Sequence, residues 1–512
     1  MTHYPRIGQF KTAAALAARF AELGHPLAVD DRVLSAADGS PLAAPVTLAG
    51  RTVGNRWCIH PMEGWDANVD GTPTDLTRER WRKFGAGGAK LIWGGEAAAV
   101  RPEGRANPRQ TLATPGNRRG LIELRETLVA EHDRAFGRTD DLFVGLQLTH
   151  SGRFSKPSEA GPAPKVAYRH PLLERRFPFS AGDARVWTDA ELETLIDDYV
   201  AAADVAVEAG YDFVDVKACH GYLLHEFLSA RRRPGPFGGD FAGRTRLLTT
   251  IIDRIRGRHP VLPIGVRLSL YDTVPHVRGE ASGDGAAGDA GGESIGDFAV
   301  GVPLRPDGPG PYGDGFGVGN FDPLTIDLAE PIRLVGVLQS LGVFAVNVTC
   351  GSPYYCPHIQ RPAAFPPSDG YAPPEDPLVG VARLISATAA LKRACPTMPL
   401  VGTGYTYLQD YLPHVAQAAV RAGEVDLVGL GRMVLSYPTL PADTLSGRGM
   451  VRKQVCRTFS DCTTAPRNGL VSGCYPLDPL YKGRPEAEQV KAIKATAARP
   501  PSAGPAGGST AP

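Results

Sequence analysis

"DFVDVKACHGYLLHEFLSARRR" (212–233) is a short apolar run that delivers four reactive side chains, Lys217, Cys219, His220 and Tyr222, to its tip before the chain turns amphipathic and basic. Runs of this kind mark strands buried on both faces of a parallel sheet. Seven more punctuate the sequence: "WCIHP" (57–61), "AKLIWGG" (89–95), "LFVGLQLTH" (142–150), "PIGVRLSL" (263–270), "VFAVNVTCG" (343–351), "PLVGTGY" (399–405) and "VDLVGLGR" (425–432). Helix-like segments lie between them, among them 188–210, 243–257 and 331–342. In the first, Thr188 is an N-cap, Glu191 its capping-box partner, and Gly210 the stop. Eight strands alternating with helices specify an α/β fold, a (β/α)₈ TIM barrel. A doubly wound open sheet is the competing arrangement, but no glycine-rich dinucleotide turn follows the first strand.

The remaining segments set the boundaries. Residues 1–50 lead into the first strand, so the barrel spans 1–445. Residues 446–485 form a Cys-containing extension packed on it, and 486–512 end in Pro, Gly and Ser and read as a disordered tail. The Gly/Ala/Ser/Asp tract at 278–297 reads as a mobile loop of no assigned role.

Lys and Arg number 55 against 54 Asp and Glu, which favours neither nucleic acid nor an anionic membrane as a partner. The N-terminus lacks an apolar export core, and no segment approaches eighteen consecutive apolar residues. A soluble, cytoplasmic protein is expected. The eight cysteines are scattered, which reads as free thiols rather than a disulfide framework.

In a barrel of this kind functional residues sit at the C-terminal ends of strands, and phosphates bind after strands seven and eight. Those strands end "GTGY" (402–405) and "GLGR" (429–432). Their small residues expose backbone N–H groups, and Arg432 offers a guanidinium fork; equally, the glycines serve tight turns. Gln147, in "QLTH", carries a donor and an acceptor suited to the edge of a heterocycle. Arg267, inside the apolar fifth strand, requires an anion, an electron-rich ring or an internal salt bridge.

Six motifs, "HPMEGWDAN.DG" (60–71), "RPEGR" (101–105), "LQLTHSGRFS" (146–155), "YDFVDVKACHGYLLHEFLSARRR" (211–233), "FGGDFAGRTRLL" (237–248) and "VDLVGLGRMVL" (425–435), occur in one order on the expected strands. Together they resemble the old yellow enzyme family of FMN-dependent oxidoreductases. The resemblance implies FMN at the barrel mouth, NADH or NADPH as hydride donor, and a small-molecule substrate with an activated C=C bond; homo-oligomers are common in such barrels. Matched by position, Gln147 and Arg267 contact the ring or ribityl chain, and Pro61, Met62, Glu63 and Gly94 lie beside the ring. Gly402, Gly404, Gly431 and Arg432 hold the phosphate. Lys217 and His220 anchor the substrate's activating oxygen, and Tyr222 donates the proton.

Three departures from the family pattern stand out. Lys217 replaces the usual histidine; it either meets a more anionic substrate or pairs with an internal carboxylate, Glu63 being one candidate. Glu63 occupies a position that tunes the flavin, where a carboxylate disfavours an anionic reduced ring. Larger relatives hold an iron–sulfur cluster on four cysteines after the barrel. Here Cys456, Cys462 and Cys474 are three, with Phe459 where another is needed, and no cluster or other metal is expected. Two rival activities use the same site: amine oxidation on an FMN barrel, and a Schiff-base lyase with Lys217 forming the imine. Tyr354 and Tyr355, after strand six, either line the pocket or pack their loop.

Overall fold

The computed structural model describes residues 4–179, 185–279, 298–308 and 310–497. Eight parallel strands close into a barrel: β1 Trp57–Ile59, β2 Leu91–Ile92, β3 Phe143–Thr149, β4 Phe213–Ala218, β5 Ile264–Ser269, β6 Val346–Thr349, β7 Leu400–Gly402 and β8 Leu427–Leu430. Each falls within one of the apolar runs. Closure is made by β8 pairing with β1 (Gly429 with Cys58) and β2 with β3 (Leu91 with Phe143). One further short strand, Ala97–Ala99, extends the sheet beside the top of β3, opposite Gln147–Thr149.

Helices alternate with the strands. Asp75–Gly85, Arg118–Phe136, Asp189–Glu208, Phe241–Arg258, Ala329–Ser340, Pro377–Ala394 and Leu412–Arg421 follow β1 to β7 in turn. The helix Asp189–Glu208 begins as its sequence specifies: Thr188 Oγ1 accepts from the Glu191 amide and Glu191 reaches back to the Thr188 amide, while Gly210 takes φ +78° just beyond the end.

The barrel interior explains why a ligand enters from one end only. Side chains alternate along an extended strand, so Phe213, Asp215 and Lys217 of β4 point inward at successive heights. At the lowest level an aromatic plug fills the bore: Trp93 and Phe213 rings lie 5.4 Å apart, Phe143 and Phe213 4.9 Å, Phe213 and Phe344 5.1 Å. Glycines make room for it. A Cβ on Gly145 would sit 2.3 Å from the Phe213 ring, and one on Gly265 2.9 Å from Trp93. Above the plug come Gln147, Asp215 and Arg267, and above these the open mouth.

The extension packs on that mouth. The Ser472 amide donates to the Gly64 carbonyl, the Cys456 amide meets Met433 Sδ, and Lys83 pairs with Asp478 at 2.5 Å. It also runs further than expected. Residues 486–497, placed in the disordered tail by composition, form the helix Glu486–Ala497, which buries Val490 and ties Lys494 to Asp461 at 2.5 Å. A helix with only two buried residues carries too weak an apolar stripe to be legible against the Pro/Gly/Ser composition that follows. Residues 498–512 and most of the 278–297 tract lie outside the described residues. All eight cysteines are free thiols. No helix among the described residues is long and apolar enough to cross a membrane.

Candidate active site

One cavity opens at the C-terminal mouth of the barrel. Its walls include Pro61, Met62, Glu63, Gln147, Lys217, His220, Tyr222, Arg267, Gly404, Gly431 and Arg432. Gly94 and Gly402, expected at the cofactor, are not part of the wall. Gly94 instead lies against the Gln147 backbone, 2.8 Å from where its own Cβ would be, and Gly402 sits behind Gly429. Both support residues that do reach the cavity.

The floor is polar and partly unpartnered. Gln147 donates through Nε2 to Asp215 at 2.5 Å, and the Arg267 amide donates to the other Asp215 oxygen at 2.6 Å. Burial nevertheless raises the Asp215 carboxyl to a pKa of about 6, against the lowering effect of those bonds. Gln147 Oε1, Arg267 Nε, His60 Nε2, Asn347 Oδ1 and Arg432 Nη1 are buried without a partner. Among the described residues Arg267 forms no ion pair, so the internal salt bridge considered from sequence is not made. Unsatisfied buried polar atoms are costly, and the four of these on the cavity wall, from His60, Gln147, Arg267 and Arg432, are the pattern a polar ligand would satisfy.

The wall formed by β4 and the loops beside it carries the reactive groups. Lys217, 4 % exposed, donates to Glu63 at 2.9 Å, and the other Glu63 oxygen accepts from Trp65 Nε1 at 2.9 Å. The pairing with an internal carboxylate foreseen as one alternative is therefore made. The Lys217 ammonium also lies 4.0 Å from the centre of the Tyr222 ring, a cation–π contact. The Tyr222 hydroxyl meets that of Tyr354 at 2.9 Å, and Tyr354 stacks on Phe154 with centroids 4.0 Å apart. Burial first, then Glu63, holds the Tyr222 hydroxyl well above its ordinary pKa, so it keeps its proton at neutral pH.

His220 ends the strand at φ +65°, a left-handed conformation unusual outside glycine. Ser269 and Ser352 fix it, accepting from its amide at 3.1 Å and donating to its carbonyl at 2.8 Å. Its Nε2 lies 3.1 Å from Gln360 Nε2 and 3.4 Å from Thr349 Oγ1. Burial, then Arg267 and Lys217, pushes its pKa well below the usual value, so the ring is neutral.

The two tyrosines after β6 divide the readings between them. Tyr354 lines the cavity, while Tyr355 packs its loop by donating to Asp272 at 2.6 Å. His150 is buried against Trp187, and Arg153 is paired with Glu226. Cys456, Cys462, Cys474 and Phe459 surround a second, much smaller cavity.

Sequence reasoning missed the outer wall. His60, Trp65, Thr403, Gln360, Arg361, Thr463, Arg467 and Ser472 all face the main cavity. His60 stands in a stretch already singled out, "HPMEG", but nothing in its spacing announces its direction. Arg467 comes from the extension and reaches the site only through its packing.

Residues 41–286 match the model of the NADH:flavin oxidoreductase / NADH oxidase family. An NADH:flavin oxidoreductase of Gibberella zeae is 31% identical over 247 residues, 44% of this chain and 56% of that protein. An NADPH dehydrogenase of Geobacillus is 32% identical over 239 residues, 46% of this chain and 64% of that protein. The chain thus spans less than two thirds of the curated relatives it matches. Among solved structures, a 2-naphthoyl-CoA reductase in complex with 2-naphthoyl-CoA superposes with a TM-score of 0.61 at 18% identity, covering 88% of this chain and 58% of that one, a likeness of fold. With its motifs on the strands of a closed parallel barrel, the chain is similar over residues 41–286 to the NADH:flavin oxidoreductase family, that of the old yellow enzymes.

Proposed function

We propose that the protein is an FMN-dependent oxidoreductase that oxidises NADH or NADPH and reduces an activated C=C bond of a small molecule. The observation that carries this reading is the set of unpartnered polar atoms, Gln147 Oε1, Arg267 Nε and Arg432 Nη1, in the same cavity as the protonated Tyr222 hydroxyl.

The residues fit FMN. Gln147 supplies an acceptor and Arg267 a cation for the polar edge of the ring. Pro61 and Met62 supply apolar contact. Gly431 lies beside open space, where an added Cβ would meet only Met62 Sδ at 3.7 Å, and Gly404 takes φ +97° at the end of β7. With Arg432 they form a phosphate cradle of backbone N–H groups and guanidinium. When bound, FMN supplies a two-electron carrier between nicotinamide and substrate.

The other residues act on the substrate. Glu63 takes one of the three N–H donors of Lys217, and the others serve the substrate's activating oxygen together with the neutral His220. Tyr222 gives its proton to the carbon next to the activating group. Tyr354 orients that hydroxyl, and the Lys217 ammonium over the ring favours the phenolate left behind.

Tyr222→Phe tests the assignment. Alkene reduction is expected to slow by about 10²-fold or more, with flavin bleaching by NADPH or NADH unchanged in stopped-flow traces. Equal slowing of both half-reactions would remove Tyr222 from the proton-transfer role.

A further inference from the structure

Two arginines of the outer wall have no counterpart in the chemistry just described. Arg361 follows the short helix Pro357–Gln360 after β6, and Arg467 ends the helix Asp461–Arg467 in the extension. Arg361 donates through Nη1 to Thr463 Oγ1, while its Nη2 is shut off from solvent and has no partner. Arg467 donates to Asp369 and to the Pro353 carbonyl. Among the described residues Arg361 forms no ion pair, and its electrostatic neighbours are mainly cations. Burial, then Arg467 and Arg432, lowers its pKa to about 9; Cys462 and Asp369 oppose this only weakly. A half-buried guanidinium among like charges is unfavourable without a counter-ion. The carboxylate of the cavity wall, Glu63, is already taken by Lys217 and Trp65.

Arg361 neighbours both Arg467 and Arg432 of the cofactor's phosphate cradle, whereas Arg467 lies toward the proton donor. The cradle of Gly404, Gly431 and Arg432 stands at the ends of β7 and β8. The Arg467 guanidinium lies 5.5 Å from the Tyr354 ring centre, and Tyr354 bonds the Tyr222 hydroxyl. Arg361 follows Gln360, whose amide nitrogen is 3.1 Å from His220 Nε2. Arg467 therefore belongs to the side of the cavity where the substrate would meet its proton donor, and Arg361 flanks it.

We propose that Arg361 and Arg467 form an anion site for the substrate, so that the enzyme selects substrates carrying a carboxylate or phosphoryl group. This deepens the reading under Proposed function and rests on it. A planar guanidinium fork suits both groups. Because Arg467 is supplied by the extension, that segment sets specificity as well as covering the barrel.

The experiment is calorimetric titration of the FMN-loaded full-length protein with benzoate and with benzamide, its neutral isostere. The same titrations are made on Arg361→Gln and Arg467→Gln, and each apoprotein is titrated with FMN and riboflavin. Benzoate is expected to bind at least about tenfold tighter than benzamide, the effect of one charge-assisted hydrogen bond. Each substitution should abolish that preference while leaving the preference for FMN over riboflavin intact. Equal binding of benzoate and benzamide, or binding of neither, overturns the proposal. So does loss of the FMN preference in Arg361→Gln, which would assign the arginine to the cofactor's phosphate. A protein that takes up no FMN sinks the parent reading and this proposal with it, whereas one that takes up FMN without preferring benzoate sinks the proposal alone.

Discussion

Neutralising one partner of the Lys217–Glu63 pair should harm the protein far more than neutralising both. The two charges are 2.9 Å apart, with side chains 4 % and 16 % exposed. At an effective dielectric of about 20 their attraction is about 6 kcal/mol. Glu63→Gln keeps the shape but removes that attraction, leaves one acceptor oxygen for the two donors Lys217 and Trp65, and strands the ammonium beneath the cavity. Lys217→Met strands the carboxylate instead, with only Trp65 to hold it. Breaking one side of a buried pair costs about 3–5 kcal/mol. Partial exposure of Glu63 puts Lys217→Met near the lower end and Glu63→Gln, which abandons the deeper charge, near the upper. The double substitution leaves no buried charge and should cost much less than either single change. Urea unfolding of the four proteins, followed by tryptophan fluorescence, measures the cycle. Costs that simply add, to within about 0.5 kcal/mol, would refute the claim that the two groups are coupled.

Three more predictions concern other parts of the fold. Burial holds the Asp215 carboxyl at about 6 against an ordinary 3.8, so the fold favours its protonated form. That contribution is fully present below about pH 4 and lost as pH rises through 6; Asp215→Asn, which cannot ionise, should gain up to about 3 kcal/mol on wild type between pH 4 and pH 7 in urea midpoints. Gly431→Ala meets open space and should unfold like wild type yet bind FMN more weakly, whereas Gly429→Ala, whose Cβ would fall 2.0 Å from the His60 ring, should be destabilised in the same thermal scans. Thr188→Ala removes a capping box and should cost about 1 kcal/mol with no change in activity.

The strands were legible because each is a short apolar run whose burial on both faces leaves no alternative pattern. The helix after Thr188 was legible to its caps. The polar floor could be read because Gln147 and Arg267 are anomalies inside apolar strands. Lys217 could be placed at a strand tip, but its choice between Glu63 and a ligand depended on how the loop after β1 folds back, which periodicity does not encode. The outer wall was illegible for a related reason. Arg361 and Arg467 lie in irregular segments far apart in sequence and meet only because the extension closes over the mouth. Gly94 and Gly402 were assigned by position alone; their backbones support the site from behind, a distinction that requires the register of β2 against β3 and of β7 against β8.

The central claim is tested most directly by the visible spectrum of the purified, FMN-supplemented protein, with anaerobic addition of NADPH or NADH followed by an activated alkene such as N-phenylmaleimide. The account predicts a bound-flavin spectrum that one nucleotide bleaches and the alkene restores. A protein that binds no FMN, or a bound flavin that neither nucleotide bleaches, would contradict it.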